Sequence, residues 1–289
     1  MVVKSLSKAS KLLAEQHIHD GRVTVNGRIR TQPFFRLEIG DRIDVEFEQP
    51  VTVSSIDKKA GGRVFEMLFE DDYIVVVNKP PNLLTVPTPH KEKTTLISQI
   101  DRHLRKRGSD QKAFCVHRLD RGVSGILVFA KTLETAEKLR DQFAERKPKR
   151  QYVAILAGSL EQTEGTFRTY LTSDSDLNQF STSNSAEGQL AITHFRVIAK
   201  WPSASMVEIW LETGRRNQIR VHFAESGHPV LGDPRYQRNM ATHPYWPFER
   251  IALHAESLGI AHPETRKPME WRTSWPDEFR SFRRKIDEA

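Results

Sequence analysis

The sequence contains very little cysteine: Cys115 is the only one among 289 residues. One thiol forms neither an internal disulfide nor a thiolate metal cluster, and this scarcity is typical of proteins from a reducing compartment. The eleven histidines are scattered along the chain rather than set at the spacing of metal ligands, which favours structural roles for pairs such as His222 and His228. The composition therefore predicts a protein without disulfides and without a bound metal.

Long apolar runs are also missing. The longest, Ile74 to Val77 and Ile126 to Ala130, are far shorter than the roughly 20 residues that a membrane-spanning helix needs. Residues 1–10 contain no apolar core of a secretory signal peptide. Their lysines and serines also suit an organelle transit peptide, but they fit the start of a folded helix better. We therefore expect a cytoplasmic protein with no membrane partner.

Basic residues are in excess over acidic ones. Lys and Arg number 44 against 37 Asp and Glu, which gives a formal net charge of +7. Positive charge spread over a folded chain suggests a polyanionic partner such as a nucleic acid. Hydrophobic residues make up 38% of the sequence, so the chain has enough apolar content for one large domain with a small one beside it.

The first 49 residues have the pattern of a small αβ module. Apolar residues at helical spacing predict a helix from Ser7 to Asp20, which ends at Gly21. A strand from Arg22 to Val25 then leads into Asn26-Gly27, the favoured dipeptide of a type I′ hairpin. After a second turn, alternating residues predict a strand from Ile43 to Phe47.

This order of elements, with G-x-V-x-V-N-G from Gly21 to Gly27 and G-D-x-I-x-V from Gly40 to Val45, resembles the S4 RNA-binding domain. The resemblance implies a basic RNA-binding surface, to which we assign Arg22 and Arg28. The first helix of that domain should precede Ser7, so a truncated module is one interpretation.

Residues 50–63 are rich in Pro, Ser, Lys and Gly without periodicity and are interpreted as a linker to a second domain over residues 64–289. Strands outnumber helices in that domain, which predicts an α+β fold around a mixed, largely antiparallel sheet. The predicted strands are Tyr73–Val77, Ser124–Ala130, Gln151–Ala157, Thr166–Leu171, Leu190–Ala199, Met206–Glu212 and Ile251–Ile260. The predicted helices are Leu133–Arg146, Asn217–Ser226 and Asp277–Lys285.

The densest cluster of reactive side chains is His117-Arg-Leu-Asp120, just before a predicted strand. Arg118 and Arg121 flank Asp120, and their charge would keep its carboxylate ionised, as a nucleophile or base requires. The alternative interpretation is a surface turn held by ion pairs.

Read as a whole, His117-Arg-Leu-Asp120 followed by Ser124-Gly125 and Ala130-Lys131 resembles the H-R-L-D-x-x-x-S-G-x-x-x-x-A-K signature of the RluA family of pseudouridine synthases. The resemblance covers about residues 65–280 and implies the pseudouridine synthase catalytic domain. Other segments in the family's order are Asn78-Lys-Pro-Pro81, Lys149-Arg-Gln-Tyr152, Thr213 to His222, Gly227 to Asp233 and Arg250 to Ala255.

The resemblance implies an isomerase of RNA uridines. Pseudouridine formation breaks the N1 glycosidic bond, turns the uracil over and rejoins it through C5. This chemistry transfers no electrons and requires no metal, so no cofactor is implied. The S4-like module favours ribosomal RNA as the partner, with transfer RNA as an alternative, and we expect a monomer.

Three residues match the family's catalytic positions. Asp120 matches the catalytic aspartate, which either attacks C1′ or removes the 2′ proton. Tyr152 matches the tyrosine whose ring stacks on the flipped base. Arg220 matches the arginine that pairs with the aspartate, and its planar fork would hold the Asp120 carboxylate bidentately.

Three further residues are assigned to the substrate pocket. Arg118 resembles the arginine that fills the space left by the extruded base, which offsets part of the cost of unstacking. Leu253 is a candidate apolar wall for the uracil, although an isolated strand leucine is more often core. His117, next to Arg118, completes the set.

Two basic runs flank these motifs. One contains Arg102, Arg105, Lys106 and Arg107, and the other contains Lys147, Lys149 and Arg150. Such runs are usually solvated surfaces, but their place beside the motifs favours phosphate contacts.

Some positions depart from the family pattern. Asn82 stands where a glycine is usual, Gly122-Val123 replaces a polar pair, and Arg216-Asn217 stands where Thr-His is common. None of these changes removes a catalytic group.

Two other functions remain alternatives. A non-catalytic RNA-binding or ribosome-assembly protein on the same fold would not need an intact Asp120, Tyr152 and Arg220. A hydrolase of N-glycosides would need a second carboxylate to act on water, and the sequence indicates none.

Overall fold

The structure is a computed structural model that describes residues 18, 23–32, 34–45, 64–108 and 111–289. The chain divides into two compact units, Met1–Pro50 and Val51–Ala289. Among the described residues, no helix is both long enough and apolar enough to cross a membrane.

The smaller unit contains a three-stranded antiparallel sheet in the order β2-β1-β3, formed by β1 (Val23–Val25), β2 (Arg28–Ile29) and β3 (Ile43–Val45). Asn26 and Gly27 have φ values of 54° and 76°, which confirms the predicted hairpin turn. The predicted helix over residues 7–20, apart from Ile18, lies outside the described residues. So do Arg22 and the predicted linker at residues 50–63.

The strands of the larger unit begin with β4 (Glu66–Glu70), β5 (Ile74–Lys79), β6 (Phe114–Cys115), β7 (Ser124–Ala130), β8 (Lys149–Ala157) and β9 (Glu164–Ser173). They continue with β10 (Gln179–Thr182), β11 (Gln189–Lys200), β12 (Ala204–Leu211), β13 (Leu253–Ala261) and β14 (Pro268–Arg272). Its described helices are α1 (Leu96–Lys106), α2 (Leu133–Ala144), α3 (Gln218–Glu225) and α4 (Asp277–Asp287).

These strands form one sheet, whose main path runs β10-β9-β11-β12-β8-β13-β7-β5-β4. The strands β7 and β13 pair in parallel, and all other pairings described in this sheet are antiparallel. The predicted α+β fold with a mixed, largely antiparallel sheet is therefore confirmed.

The central strand β7 is buried along its whole length. Leu127 and Phe129 pack in one core with α1 and α4, whereas Ile126 and Val128 pack in a second core with α2. A strand covered on both faces is apolar at every position, which explains the unbroken hydrophobic run.

Helix α1 and the strands β4, β6, β10 and β14 are not among the elements predicted from the sequence. In α1, Leu96, Ile100 and Leu104 are buried four residues apart, and Thr95 and Ser98 form a capping box at its start. The interpretation of this segment as a basic run overlooked that apolar spacing.

Candidate active site

Two segments far apart in the chain meet where β7 and β13 begin. His254 lies opposite Ser124, and Ala255 lies opposite Gly125. Gly125 has φ +123°, and a Cβ at this position would overlap the backbone of Ala255. Only glycine allows this close approach of the two backbones. Gly125 therefore lets β7 pair with β13 immediately after the loop that carries Asp120.

A chain of hydrogen bonds fixes this junction. Arg250 Nη2 donates to Ser124 Oγ at 2.6 Å, and Ser124 Oγ lies 2.8 Å from His254 Nδ1. Since the serine oxygen already accepts from a guanidinium, its own proton is available to Nδ1, which assigns the Nε2–H tautomer to His254. Burial and the Arg250 charge lower the pKa of His254 to about 3, so the ring is neutral near pH 7.

Lys79 ties the Asn-Lys-Pro-Pro segment to the Asp120 loop. It is fully buried, and its Nζ donates to the carbonyl oxygens of Pro80, Leu83 and Arg121 at 3.0, 2.8 and 3.3 Å. Burial lowers the pKa of Lys79 to about 7, against the attraction of Asp120. Three carbonyl acceptors match the three protons of an ammonium group, so Lys79 positions backbone on both sides of the site.

Asp120 is paired with an arginine that lies 100 residues later in the chain: Arg220 Nη1 donates to Asp120 Oδ2 at 2.8 Å. The Asp120 side chain is 24% exposed and the Arg220 side chain 8%. The carboxylate therefore keeps access to solvent while the guanidinium that holds it is buried.

The fork of Arg220 binds a second carboxylate. Nε and Nη2 donate to Oδ2 and Oδ1 of Asp233 at 2.6 and 2.8 Å, and the Asp233 side chain is fully buried. The expectation that the fork holds Asp120 bidentately is therefore wrong, because Asp233 occupies it and one donor remains for Asp120. Burial opposes the charge of Arg220, but the bonds to Asp233 and the charge of Asp120 outweigh it and raise the pKa of Arg220.

Asn217 and Tyr236 complete the surroundings of this arginine. Asn217, the residue before α3, has φ 54°, a left-handed conformation that asparagine tolerates better than most residues. Its Oδ1 accepts from Arg220 Nη1 at 2.9 Å, and its Nδ2 donates to the Tyr236 hydroxyl at 3.0 Å. The Arg220 guanidinium lies 5.0 Å from the centre of the Tyr236 ring. The departure at Asn217 thus adds a second acceptor for Nη1.

Tyr152 and Leu253 lie on adjacent strands. Tyr152 is opposite Ala255, and Leu253 is opposite Ala154. Both side chains are buried in the same core. Burial is the main cause that raises the pKa of Tyr152; the nearby Arg150 opposes it, and the charge of Asp120 adds to it. The structure thus brings the Tyr152 phenol, in its protonated form, into the neighbourhood of Asp120.

The arginines that flank Asp120 in the sequence form no ion pair with it among the described contacts. Arg121 Nε donates to the carbonyl oxygen of Asn82 at 3.5 Å, and Arg118 is exposed. The positive charge bonded to the Asp120 carboxylate comes from Arg220 instead.

His117 is held by protein contacts. Its Nε2 accepts the Val128 N–H at 3.2 Å, and its ring stacks on Phe143 with the ring centres 4.5 Å apart. Burial and the charge of Arg150 lower the pKa of His117 to about 3, so the ring is neutral. Substrate binding by His117 and Arg118 stays a prediction.

The basic end of α1 lies away from Asp120. Arg107 Nη1 donates to Glu70 Oε2 at 3.1 Å, and Lys131 Nζ donates to Glu70 Oε1 at 3.0 Å. Lys131 follows the last residue of β7, whereas Asp120 precedes the first, and a strand of this length spans about 20 Å. The exposed side chains of this helical end are Arg105, Lys106 and Arg107.

The other predicted RNA contacts are dispersed. Arg102 is exposed in the middle of α1 and donates to Gln99 at 3.2 Å. Lys149 is half-buried at the start of β8, opposite Gly259, and Arg28 is exposed in the smaller unit. RNA binding by these residues stays a prediction.

The structure explains why asparagine is accepted at position 82, where the family usually has glycine. Its φ of 64° is left-handed, which glycine adopts freely and asparagine tolerates. Its Nδ2 donates to the Glu249 carbonyl at 2.9 Å, a bond that glycine cannot form.

In the described part of the chain, no group of three or more His, Cys, Asp or Glu side chains is placed to hold a metal ion.

The chain resembles one known protein family over much of its length. Residues 73–225, just over half of the chain, match the family model described as RNA pseudouridylate synthase. The chain belongs to the RNA pseudouridine synthase family. Residues 1–43 match the S4 domain, so this RNA pseudouridine synthase carries an S4 RNA-binding domain before its catalytic part.

Curated relatives resemble the chain over most of its length. The uncharacterized RNA pseudouridine synthase YlyB of Bacillus subtilis is 31% identical over 93% of this chain and 87% of its own. The ribosomal large subunit pseudouridine synthase D of Pseudomonas aeruginosa is 32% identical over 91% of this chain and 83% of its own.

Solved structures share the fold. The human RNA pseudouridylate synthase domain containing 4 superposes with a TM-score of 0.64 at 21% identity, over 76% of this chain and 92% of its own. The human RNA pseudouridylate synthase domain containing 1 superposes with a TM-score of 0.61 at 23% identity, over 76% of this chain and 87% of its own. By its family, the protein is an isomerase.

Proposed function

We propose that this RNA pseudouridine synthase isomerises specific uridines of ribosomal RNA with Asp120 as the catalytic carboxylate. The observation that carries the proposal is the Asp120–Arg220 pair, a partly exposed carboxylate bonded at 2.8 Å to a buried guanidinium. Such a carboxylate is held in a fixed orientation by the guanidinium, yet it is reachable by a ribose. Attack on C1′ and removal of the 2′ proton both fit this geometry.

The remaining roles follow from neighbouring side chains. Tyr152 offers a buried aromatic ring to stack on the uracil, with Leu253 as an apolar wall. The exposed Arg118 is free to occupy the gap that a flipped uridine leaves in the RNA. No cofactor takes part in this scheme.

The names of several relatives favour ribosomal RNA over transfer RNA as the substrate. Several of them, from Pseudomonas aeruginosa, Buchnera aphidicola and Haemophilus influenzae, are named ribosomal large subunit pseudouridine synthase D, at 32%, 29% and 32% identity. We further propose that the enzyme acts as a cytoplasmic monomer. Residues 1–49 form its RNA-binding module, residues 50–63 the linker and residues 64–289 the catalytic domain.

The test is a map of pseudouridines in total RNA from cells with the gene, without it, and without it but expressing Asp120→Asn. We expect one or a few ribosomal RNA sites to lose pseudouridine without the gene. Wild-type protein should restore them, and Asp120→Asn should not. Sites lost only from transfer RNA would contradict the ribosomal assignment. An Asp120→Asn protein that restored modification would contradict the catalytic role, and unchanged modification with a ribosome-assembly defect would favour the non-catalytic alternative.

A further inference from the structure

Arg150 lies beside the catalytic residues without belonging to them. It is two residues before Tyr152 on β8, and side chains at this separation point to the same face of a strand. Its guanidinium lies 5.6 Å from the ring centre of Phe143, and a Cβ on Gly214 would overlap its Nη1. The guanidinium thus reaches from β8 to the exposed Gly214 just before α3.

This guanidinium has no anionic partner among the described residues. Its Nε is buried without a hydrogen-bond partner, and burial lowers the pKa of Arg150, with only Tyr152 acting against it. Arg150 as a whole is half-buried, and the two arginines that are more deeply buried are paired, Arg220 with Asp120 and Asp233 and Arg250 with Glu278. A buried cation without a counter-charge destabilises a fold.

The groups nearest to Arg150 carry no charge that would balance it. His117 is neutral, because burial and the charge of Arg150 itself lower its pKa to about 3. Tyr152 is protonated, because burial raises its pKa. One side of the catalytic site therefore has an uncompensated positive charge.

The rest of the basic run differs from Arg150. Lys147 is exposed and forms an ion pair with Glu145 at 2.5 Å. Lys149 is one residue away on the strand and so points to the opposite face. Within this run only Arg150 has a buried guanidinium nitrogen without a hydrogen-bond partner, and its guanidinium lies near both Tyr152 and the Gly214 loop.

We propose that Arg150 is a substrate-binding residue that holds a phosphate of the RNA strand next to the uridine in the site. A guanidinium binds phosphate oxygens through its fork. Each nucleotide brings a charged phosphate, whereas the uracil of a bound uridine is neutral. Gly214, which has no side chain, leaves Nη1 accessible from the exposed loop.

The inference rests on the proposed function only for the choice of RNA. It predicts that Arg150→Met weakens RNA binding and yet stabilises the free protein. Binding should weaken about tenfold, as expected for one charged hydrogen-bonded contact. The slope of log affinity against log salt should fall by about 0.7–0.9. The melting temperature should rise by about 2–4 °C, because a partly buried cation without a counter-charge is replaced by an apolar side chain of similar length.

The experiment measures affinity for an RNA fragment that contains the mapped uridine, at several salt concentrations. Each variant is made in the Asp120→Asn background, so that the RNA stays unconverted. Arg150→Lys keeps the charge without the fork and should lie between the wild type and Arg150→Met. Arg284→Met, which removes an exposed arginine of α4 that is not among the predicted RNA contacts, is the matched control and should leave the melting temperature and the salt slope unchanged.

Gly214→Ala is the second variant. Its new methyl group would displace the flexible end of Arg150, so affinity should fall while the net charge is kept. Gly214→Ala combined with Arg150→Met should then be no weaker than Arg150→Met alone.

Two results would overturn the proposal. A lower melting temperature with unchanged RNA affinity would make Arg150 a structural residue. The second result is an Arg150→Met variant with unchanged RNA affinity and salt slope whose single-turnover rate, measured with Asp120 intact, is reduced tenfold or more. Arg150 would then contact the base and not a phosphate. A wild-type enzyme that binds the fragment without converting it would contradict the proposed substrate, while the Arg150 affinities would still be measured on that fragment.

Discussion

Arg220 binds two aspartates at once, and the two bonds differ in kind. Both carboxylate oxygens of Asp233 accept hydrogen bonds from Nε and Nη2 of Arg220, and Asp120 accepts one hydrogen bond from Nη1. Asp233 also accepts the backbone N–H groups of Arg235 and Tyr236. Since Asp233 is buried and fixed by four donors, it fixes the guanidinium, which in turn orients the more exposed Asp120.

Asp233→Asn should therefore lower the rate of a reaction that Asp233 does not touch. The amide keeps the volume but loses the charge and one acceptor, which lets Arg220 turn toward Asp120. A misplacement of about 1 Å costs on the order of 100-fold in rate, so we expect a 10- to 100-fold lower single-turnover rate at saturating RNA, with RNA affinity within about threefold. Asp176→Asn, at an exposed position, is the control. Equal rates in both variants would mean that Asp233 serves stability alone.

Arg220→Lys should be far more damaging than its conserved charge suggests. An ammonium group cannot hold Asp233 through two parallel bonds and reach Asp120 as well. We expect a loss of about 100-fold or more in single-turnover rate and little change in RNA affinity. Arg102→Lys, on the exposed part of α1, should be nearly silent. Small and similar losses in both variants would contradict the orienting role of Arg220.

Stability should fall as the pH drops below 6.5. Burial and Arg250 lower the pKa of His254 to about 3 in the folded state, whereas an unfolded histidine titrates near 6.5. Between these values the unfolded chain binds the extra proton, so acid favours unfolding. From pH 7.5 to 5.5, urea titration should show His254→Asn losing about 1.4 kcal/mol less stability than the wild type.

The exposed His90 supplies the control for this pH measurement. His90→Asn should lose as much stability as the wild type over the same range. Parallel pH profiles for the wild type and His254→Asn would show that His254 is protonated in the folded protein.

Deletion of residues 1–49 should leave a folded catalytic part. The chain divides into compact units at residue 50, and the S4 match ends at residue 43. We expect RNA affinity to fall by more than the single-turnover rate at saturating RNA, because the removed part matches an RNA-binding domain and the proposed catalytic residues lie outside it. An unfolded truncated protein, or one that binds RNA as tightly as the full chain, would disprove the proposed domain roles.

Excess chelator should leave activity unchanged. Pseudouridine formation rearranges bonds within one nucleotide and transfers no electrons, and the described residues offer no three-ligand group for a metal. The measurement is turnover in EDTA with an RNA whose fold is verified under the same conditions. Loss of activity that added zinc restores would contradict this expectation.

Local patterns predicted most of the regular structure of the larger unit. The helix expected over Asn217–Ser226 is Gln218–Glu225, and the strand expected over Leu190–Ala199 is Gln189–Lys200. Short edge strands such as β10 lacked a pattern, because their side chains are only partly buried. Apolar periodicity reports burial, so an element without a buried stripe leaves little trace in the sequence.

The site was harder to predict where it depends on contacts between distant segments. The motif containing Asp120 identified the loop, and the segment from Gly227 to Asp233 matched the family's order, but neither assigned a role to Asp233. Its role arises because the Val230–Asp233 turn brings it within 2.8 Å of Arg220. The sequence placed Arg150 in a basic run with Lys147 and Lys149. Its distinct surroundings depend on the elements that pack against β8, which lie far from it in the sequence.

The place of β13 in the sheet determines when this enzyme becomes active during its synthesis. β13 is the one described strand that joins β7 to β8, and at Leu253–Ala261 it follows both of them in the chain by about 100 residues or more. A growing chain therefore first makes two half-sheets with open edges, one carrying Asp120 and the other Tyr152. Their union needs a strand inserted between segments made long before it, a slow, non-local step. A nascent chain that stops before β13 contains Asp120, Tyr152 and Arg220 but no sheet to hold them together.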